Sequence, residues 1–529
     1  MAVGHSVDPA GWRVILDEAV TRVADRFVRA EPRPTVGQFV EGLLSGVERK
    51  TCWSLAEWAG HADPQAIQRL LRRAVWDADD VRDDVRSWLV EQLGHPDGVL
   101  VTDETGFLKK GVCSVGVQRQ YTGTAGRVEN SQVGVFLAYV SPAGRALIDR
   151  RLYLPEATWC DQPDRLAAAS VPDQVGFATK PALARQMIAA ALDAGVPVGW
   201  VTGDEVYGAD PSLRADLEQR GIGYVLAVGC DRRVHVNDGR TLIRVDDLAE
   251  QIPTAEWQLH SCGPGAKGPR DYLWAWITTA TQPDEHRWLL IRRNRTTGEL
   301  AFYLCWSPRP VPLHTLVRVA GSRWSIEELF QTGKGQVGLD HYQVRGWTGW
   351  HRFITLAMLA LAVLTILAAQ QPDTDPQLIA LTVAEIRRLL NAFVLTQPLP
   401  PAHTLHWSTW RRTSQARARR SHTSADSITT PAGRSSDVGV LSRMPARASS
   451  MPAEAVVDLG ALDRLGPGTV HASSMLLNEI GNTYAVEQLG QFSDTGTVRR
   501  RYWPASMWQQ IGGWFPANGI SVSDDRISG

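Results

Sequence analysis

The sequence predicts an α/β protein that carries a β-rich insertion and is preceded by a helical region. Three observations predict it. Residues 10–95 read as helices throughout. From about residue 97, apolar strand-like runs alternate with helical segments, the pattern of an α/β core. Between 228 and 315 the helical pattern gives way to four strand-like runs separated by turn residues. The 529 residues are long enough for about three domains. With 44% hydrophobic and 21% charged residues, the chain is neither disordered throughout nor fibrous. The 55 basic and 56 acidic residues leave a net charge of −1, which excludes a DNA coat acting through bulk positive charge.

Taken in order, ERKTCWSLAEWAG and QAIQRLLRRAVW predict two helices around the turn HADP. Asp63 is placed to cap the second, with Pro64 at its first position. The second helix carries Arg69, Arg72 and Arg73. The pair is compatible with a DNA-binding helix-turn-helix, but the segment alone reads better as an ordinary helical hairpin with solvated arginines. GVLVTDETG reads as a short strand ending in Asp103 and a turn. A Gly-rich polar loop, 109–130, follows it. SQVGVFLAYVS and ALIDRRLYLP read as strands and 181–195 as a helix. VPVGWVTGDEVYG is a strand ending in Asp204, PSLRADLEQRG a helix stopped by Gly221, and IGYVLAVG a further strand. WQLHSCG, YLWAWITTA, HRWLLIRRN and ELAFYLCWS make the β insertion, with RTTGEL turning a hairpin between the last two.

Helices resume at SRWSIEELFQTGKGQVG. Phe353 to Ala369 is the longest apolar stretch; at the short limit for a membrane span, it reads as a buried core helix. Five arginines between Arg411 and Arg420 open a Ser/Pro/Arg-rich linker, 401–455. Residues 456–529 regain apolar content without a motif and form a tail of unknown role. The predicted organisation is therefore 1–95 helical, 96–228 with 316–400 as the core, 229–315 as the insertion, then linker and tail. The six scattered cysteines include no C-x-x-C pair and fit a reducing cytoplasm. The N-terminus has no apolar segment of signal-peptide type.

Asp103 and Asp204 stand at strand ends, where α/β proteins assemble sites. Glu327 lies on a later helix. At about 100° per residue, Arg323, Glu327 and Lys334 fall within roughly 40° of one another on one face of that helix. Three converging carboxylates are hard oxygen donors suited to Mg²⁺ or Mn²⁺, and the two cations suit a phosphate-bearing ligand. Singly, each acid could as well cap a turn, and Arg323 with Glu327 could be a simple helix ion pair. Lys109, Lys110, Arg119 and Arg127, in the loop after the first strand, could track a DNA backbone or merely be solvated. Of the 20 tryptophans, Trp257, Trp274, Trp276, Trp288 and Trp306 fall in the insertion, available for stacking on a base or for core packing.

The R-x3-E-x6-K helix with two upstream strand-end aspartates resembles the signature of insertion-sequence transposases of the DDE superfamily. TDETGFLKKG, SVGVQRQYTGTAGRVENSQVGVFLAYV, GDEVYG, RWSIEELFQTGKGQVGLDHYQVRGW and WHRFITLAMLALAVL resemble the insertion sequence 701-like group, over roughly residues 10–420. That resemblance implies an RNase H-like catalytic core with a β-rich insertion, behind a helical DNA-binding region. Asp103, Asp204 and Glu327 become a triad holding two Mg²⁺ (or Mn²⁺) ions, and Arg323 and Lys334 phosphate contacts. The implied reaction is DNA cleavage at transposon terminal inverted repeats, then attack of the freed 3′-OH on target DNA. A homodimer in the synaptic complex, no membrane partner and a bacterial, nucleoid-associated cytoplasmic location are also implied. The alternative is a silent relative that only binds DNA. The sequence departs from the pattern at Ala320, where the signature has Tyr.

Overall fold

The computed structural model describes residues 7–265, 268–279, 282, 285–371, 380–395, 399–428, 455–456 and 502–503. Contacts divide the chain into Met1–Thr429 and Thr430–Gly529. The second unit is described only where Ala455–Val456 pairs antiparallel with Tyr502–Trp503. Most of 421–455 and of the tail 456–529 therefore lies outside the described residues.

Five helices open the first unit: α1 (Pro9–Ala24), α2 (Pro32–Leu44), α3 (Cys52–Trp58), α4 (Gln65–Arg72) and α5 (Ala78–Leu93). Asp63 caps α4 through Gln65 N–H at 2.8 Å, so the helix starts one residue later than the sequence suggests. Each of these helices buries a stripe, such as Leu16, Ala19 and Val23 of α1, and none forms a core of its own. α1, α2, α4 and α5 pack around α13 (Trp347–Ala369), the apolar segment of the sequence analysis, and α3 packs on α2 and α4. Almost every residue of α13 from Gly349 to Leu367 is buried, and 89% of its most apolar window is enclosed by protein. An all-round hydrophobic helix with protein on every side is a core helix.

The sheet comprises β1 (Val99–Leu108), β2 (Gln118–Thr122), β3 (Arg127–Ser141), β4 (Gly144–Leu152), β5 (Trp200–Gly203), β6 (Gly223–Val228), and, after a separate hairpin of β7 (Arg233–Val236) and β8 (Thr241–Arg244), β9 (Gln258–Gly265), β10 (Gly268–Thr278), β11 (Arg287–Arg293) and β12 (Leu300–Trp306). β1, β5 and β6 run parallel, while β3 is antiparallel to β1 and to β4. The order β4-β3-β1-β5-β6 is consistent with an RNase H-like core. Helices α6 (Pro163–Ala168), α7 (Lys180–Asp193), α8 (Glu205–Gly208) and α9 (Pro211–Gln219) connect the two halves of it, and Gly221 (φ 68°) ends the α9 segment as predicted.

Three expectations are corrected. Asp103 does not end a strand: β1 continues through Leu108, because Gly106 serves close packing rather than a turn. A Cβ there would lie 1.8 Å from Thr122 Oγ1. The loop 109–130 contains β2 and the start of β3. The segment from 401 is not a linker at its beginning, since Pro401–Ile428 forms one helix, α15. The β insertion continues the core sheet: β12 pairs antiparallel with β6, and β11, β10 and β9 extend the same sheet outward. One face of this extension builds a second small core, in which Val228, Leu289, Ile291 and Phe302 meet Val234, Val236 and α10 (Val245–Glu250). After β12 come α11 (Leu313–Ser322), α12 (Trp324–Val337), α13 and α14 (Val383–Phe393).

Candidate functional site

The parallel pairing of β1 with β5 stops at Thr102 opposite Gly203. Asp103 and Asp204 follow at neighbouring positions, just where β1 and β5 part. Gly203 permits this approach, since a Cβ would sit 2.9 Å from Thr102 Cγ2. Asp204 is the N-cap of α8, its Oδ1 accepting from Val206 N–H at 2.9 Å, which fixes the side chain at the helix start. Asp103 Oδ1 accepts from Glu104 N–H at 2.7 Å.

Glu327 arrives from the first turn of α12. Arg323, at the joint between α11 and α12, keeps helical angles (φ −56°, ψ −38°) and turns its guanidinium into the same space. It lies 3.2 Å from Glu327 Oε1 and 3.8 Å from Asp103 Oδ2. The carboxylates remain under-compensated. Burial, then the charges of Asp204 and Glu104, push Asp103 up to about 8. Burial and Glu104 raise Asp204, and burial raises Glu327 against the pull of Arg323. Among the described residues no three His, Cys, Asp or Glu side chains are drawn into a ready-made metal cluster. The donor set nevertheless fits a hard divalent cation: three acids with excess negative charge, all oxygen ligands, next to a single guanidinium.

Lys334, two turns along α12 from Glu327, donates to Thr105 Oγ1 (2.8 Å), Thr124 Oγ1 (3.1 Å) and the Gly106 carbonyl (3.3 Å). It therefore ties α12 to β1 and to the β2–β3 turn. All three acceptors are neutral, so its charge is not cancelled by them. Lys109 is turned inward: its Nζ donates to the Tyr342 carbonyl at 3.3 Å and sits 3.5 Å from that ring's centre, with burial lowering it to about 8. Lys110 and Arg119 are exposed, while Arg127 pairs with Glu129. Ala320 is buried in α11 and offers no polar group. Of the insertion tryptophans, Trp274 is fully buried, and Trp276 and Trp288 stack on each other at 5.6 Å.

Glu104 is the residue that sequence reasoning missed. Its Oε1 lies 2.5 Å from Lys180 Nζ on α7, and its Oε2 accepts from Tyr207 OH on α8 at 2.6 Å. Alternation along a strand sends Asp103 and Glu104 to opposite faces. Two consecutive acids in the middle of an otherwise apolar strand were the available signal.

Acids at the ends of the β1–β5 pairing and on a later helix, all facing Arg323, on a mixed sheet of this order, are consistent with a DDE-type α/β core. Two family models agree: a DDE superfamily endonuclease model matches residues 22–243, and a transposase DDE domain model matches 166–363. These matches make the chain similar to insertion-sequence transposases of the DDE superfamily, over residues 22–363 in all. It is 27% identical over 198 residues to the probable transposase for insertion sequence element IS701 of Microchaete diplosiphon. That match takes in 37% of this chain and 48% of the relative, so the alignment spans about half of that protein's length.

Proposed function

We propose that the protein is a DNA transposase that cuts at the terminal inverted repeats of its element and transfers the freed 3′-OH into target DNA. The observation that carries this reading is the meeting of Asp103, Asp204 and Glu327 around Arg323 at the open end of the β1–β5 pairing. Asp103, Asp204 and Glu327 would hold two Mg²⁺ (or Mn²⁺) ions, which when bound supply Lewis acidity to the scissile phosphate and a more acidic attacking water. Arg323 is poised between two acids and would exchange them for a phosphate oxygen as substrate enters. Lys334 adds positive charge beyond Glu327, and the exposed Lys110 and Arg119 would track the DNA backbone. Lys109 would act indirectly, by holding the segment around Tyr342. Two protomers would act together on paired ends.

The test is cleavage of DNA carrying the terminal repeats in the presence of Mg²⁺. We expect cutting at the repeat ends, lost in Asp103→Ala, Asp204→Ala and Glu327→Ala with DNA binding retained. Mg²⁺ should raise the melting temperature of the parent protein and not of those variants. Undiminished cutting in all three would falsify the assignment. Specific binding without any cutting by the parent would instead identify a silent relative.

A further inference from the structure

Between α9 and the β7–β8 hairpin lies a cavity of about 220 Å³, floored by β6, β11 and β12. Arg214, Arg232, Arg287, Tyr224, Trp288 and Leu304 line it. Three guanidiniums thus share one small space; Asp210 acts on Arg214, Glu285 lies 3.8 Å from Arg287, and one carboxylate acts on both of these arginines. That carboxylate, Glu218, is already saturated. Arg287 grips both its oxygens at 2.7 Å, and Tyr224 OH donates to Oε1 at 2.8 Å.

Among the described residues neither Arg214 nor Arg232 makes an ion pair, and Glu218 and Asp210 act on Arg214 only at longer range. Arg214 donates to the neutral Gly208 carbonyl. The nearby Asp210 uses its Oδ1 on the Ser212 and Leu213 N–H groups. The Nε of Arg232 is buried and has no hydrogen-bond partner among the described residues. The two arginines also repel: burial, with the charge of Arg232 adding to it, holds Arg214 below its ordinary value. Two adjacent half-buried cations without a matching anion are costly unless an anion joins them.

We propose that this cavity is a phosphate-binding site in which Arg214 and Arg232 hold the nonbridging oxygens of a phosphate group. A guanidinium's fixed fork of donors matches two phosphate oxygens, and the buried Nε supplies a donor that otherwise goes unused. The site is mechanically joined to the acidic one. Gly208, whose carbonyl anchors Arg214, ends α8, the helix that Asp204 caps. Resting on the DNA-acting reading above, the occupant is a backbone phosphate of bound DNA. Free inorganic phosphate is the other source of the same chemistry.

The test uses the full-length chain in two arms. Isothermal titration with inorganic phosphate at low ionic strength is run on the parent, Arg214→Gln, Arg232→Gln and Arg232→Lys, with melting curves to establish folding. Fluorescence anisotropy with a labelled DNA duplex is then run over a salt series. We expect phosphate binding in the parent to weaken at least tenfold in both Gln variants and to survive largely in Arg232→Lys. For DNA, Arg232→Gln should lower the slope of log K against log salt by about one unit. Loss of phosphate binding with an unchanged DNA slope would support the site and assign it to the free ion. A lowered slope alone would support it as a DNA contact. No phosphate binding by the parent, together with unchanged slopes in both Gln variants, would overturn it. If the parent binds no DNA at all, the DNA reading fails while the titration arm still decides the site.

Discussion

Glu104 shows how much a single residue contributes without itself facing Glu327. It joins three elements: β1 through its backbone, α7 through Lys180 and α8 through Tyr207. Since α8 begins at Asp204, this clamp sets where Asp204 stands relative to Asp103. Glu104→Gln keeps the shape but removes the charge that Lys180 and Tyr207 both address. Leaving the half-buried Lys180 without its partner should cost about 1–3 kcal/mol of stability, measurable by urea unfolding. Because the clamp positions acids rather than touching DNA, the cleavage rate should fall while DNA affinity holds. Lost affinity with an intact rate would refute the positioning role. Lys334→Met is expected to behave differently. It removes both a staple and a positive charge, so cleavage should fall and the salt slope of DNA binding should drop by about one unit.

At the scale of elements, α15 is the clearest case of a segment whose composition misleads. Its arginines and serines read as linker, yet His403, His406, Trp407 and Trp410 recur at the i, i+3, i+4, i+7 spacing of one helical face. That face docks on α3 and on the α3–α4 turn. Trp407 Nε1 donates to the His61 carbonyl at 2.8 Å, His403 Nε2 lies 2.9 Å from the Glu57 carbonyl, and Trp410 meets Trp53 edge-on at 4.6 Å. Arg411 pairs with Glu57. Trp407 is fully buried, so Trp407→Ala should cost about 3–5 kcal/mol, read from denaturant midpoints. The helical periodicity was present in the sequence, masked by the polar residues between. Other features were legible from the start, among them β3, β5, β6, the insertion strands and the core helix α13, because apolar runs and flanking turn residues declare them locally. The continuity of the insertion with the core sheet was not legible. It rests on β6 pairing with β12 across some 70 intervening residues, and no local pattern records such a partner. The acids of the site were visible as residue types at suggestive places. Glu104 was not, because only the fold brings Lys180 and Tyr207 to it.

Across the molecule, the net charge of −1 conceals a strongly segregated arrangement. Acids gather around Arg323, Arg214 and Arg232 line the cavity beside β11, and a buried ionic knot joins α5 to β4. In that knot Arg150 and Asp149 are fully buried, and Arg82 bridges Asp149 at 2.8 Å and Asp79 at 3.3 Å. His351, on α13, is buried nearby with its Nδ1 3.0 Å from the Trp347 carbonyl. Burial, reinforced by the charge of Arg150, lowers His351 to about 3. Attraction to Arg150 and Arg82 outweighs the burial of Asp79 and holds its carboxyl below the usual range. Both shifts act in one direction. The unfolded chain takes up a proton on His351 near pH 6.5, which the folded chain refuses until about pH 3, so stability falls as the pH drops through that window. The Asp79 contribution is lost at lower pH, below its unfolded value near 4. Unfolding free energy measured from pH 7 to pH 4 should therefore decline by about 1.4 kcal/mol per unit below about pH 6 on account of His351. His351→Gln, which has no proton to gain, should flatten that slope by the same amount while leaving the decline below pH 4 in place. An unchanged slope in this variant would mean that His351 is already protonated in the fold, and that the knot tolerates a third cation beside Arg150 and Arg82.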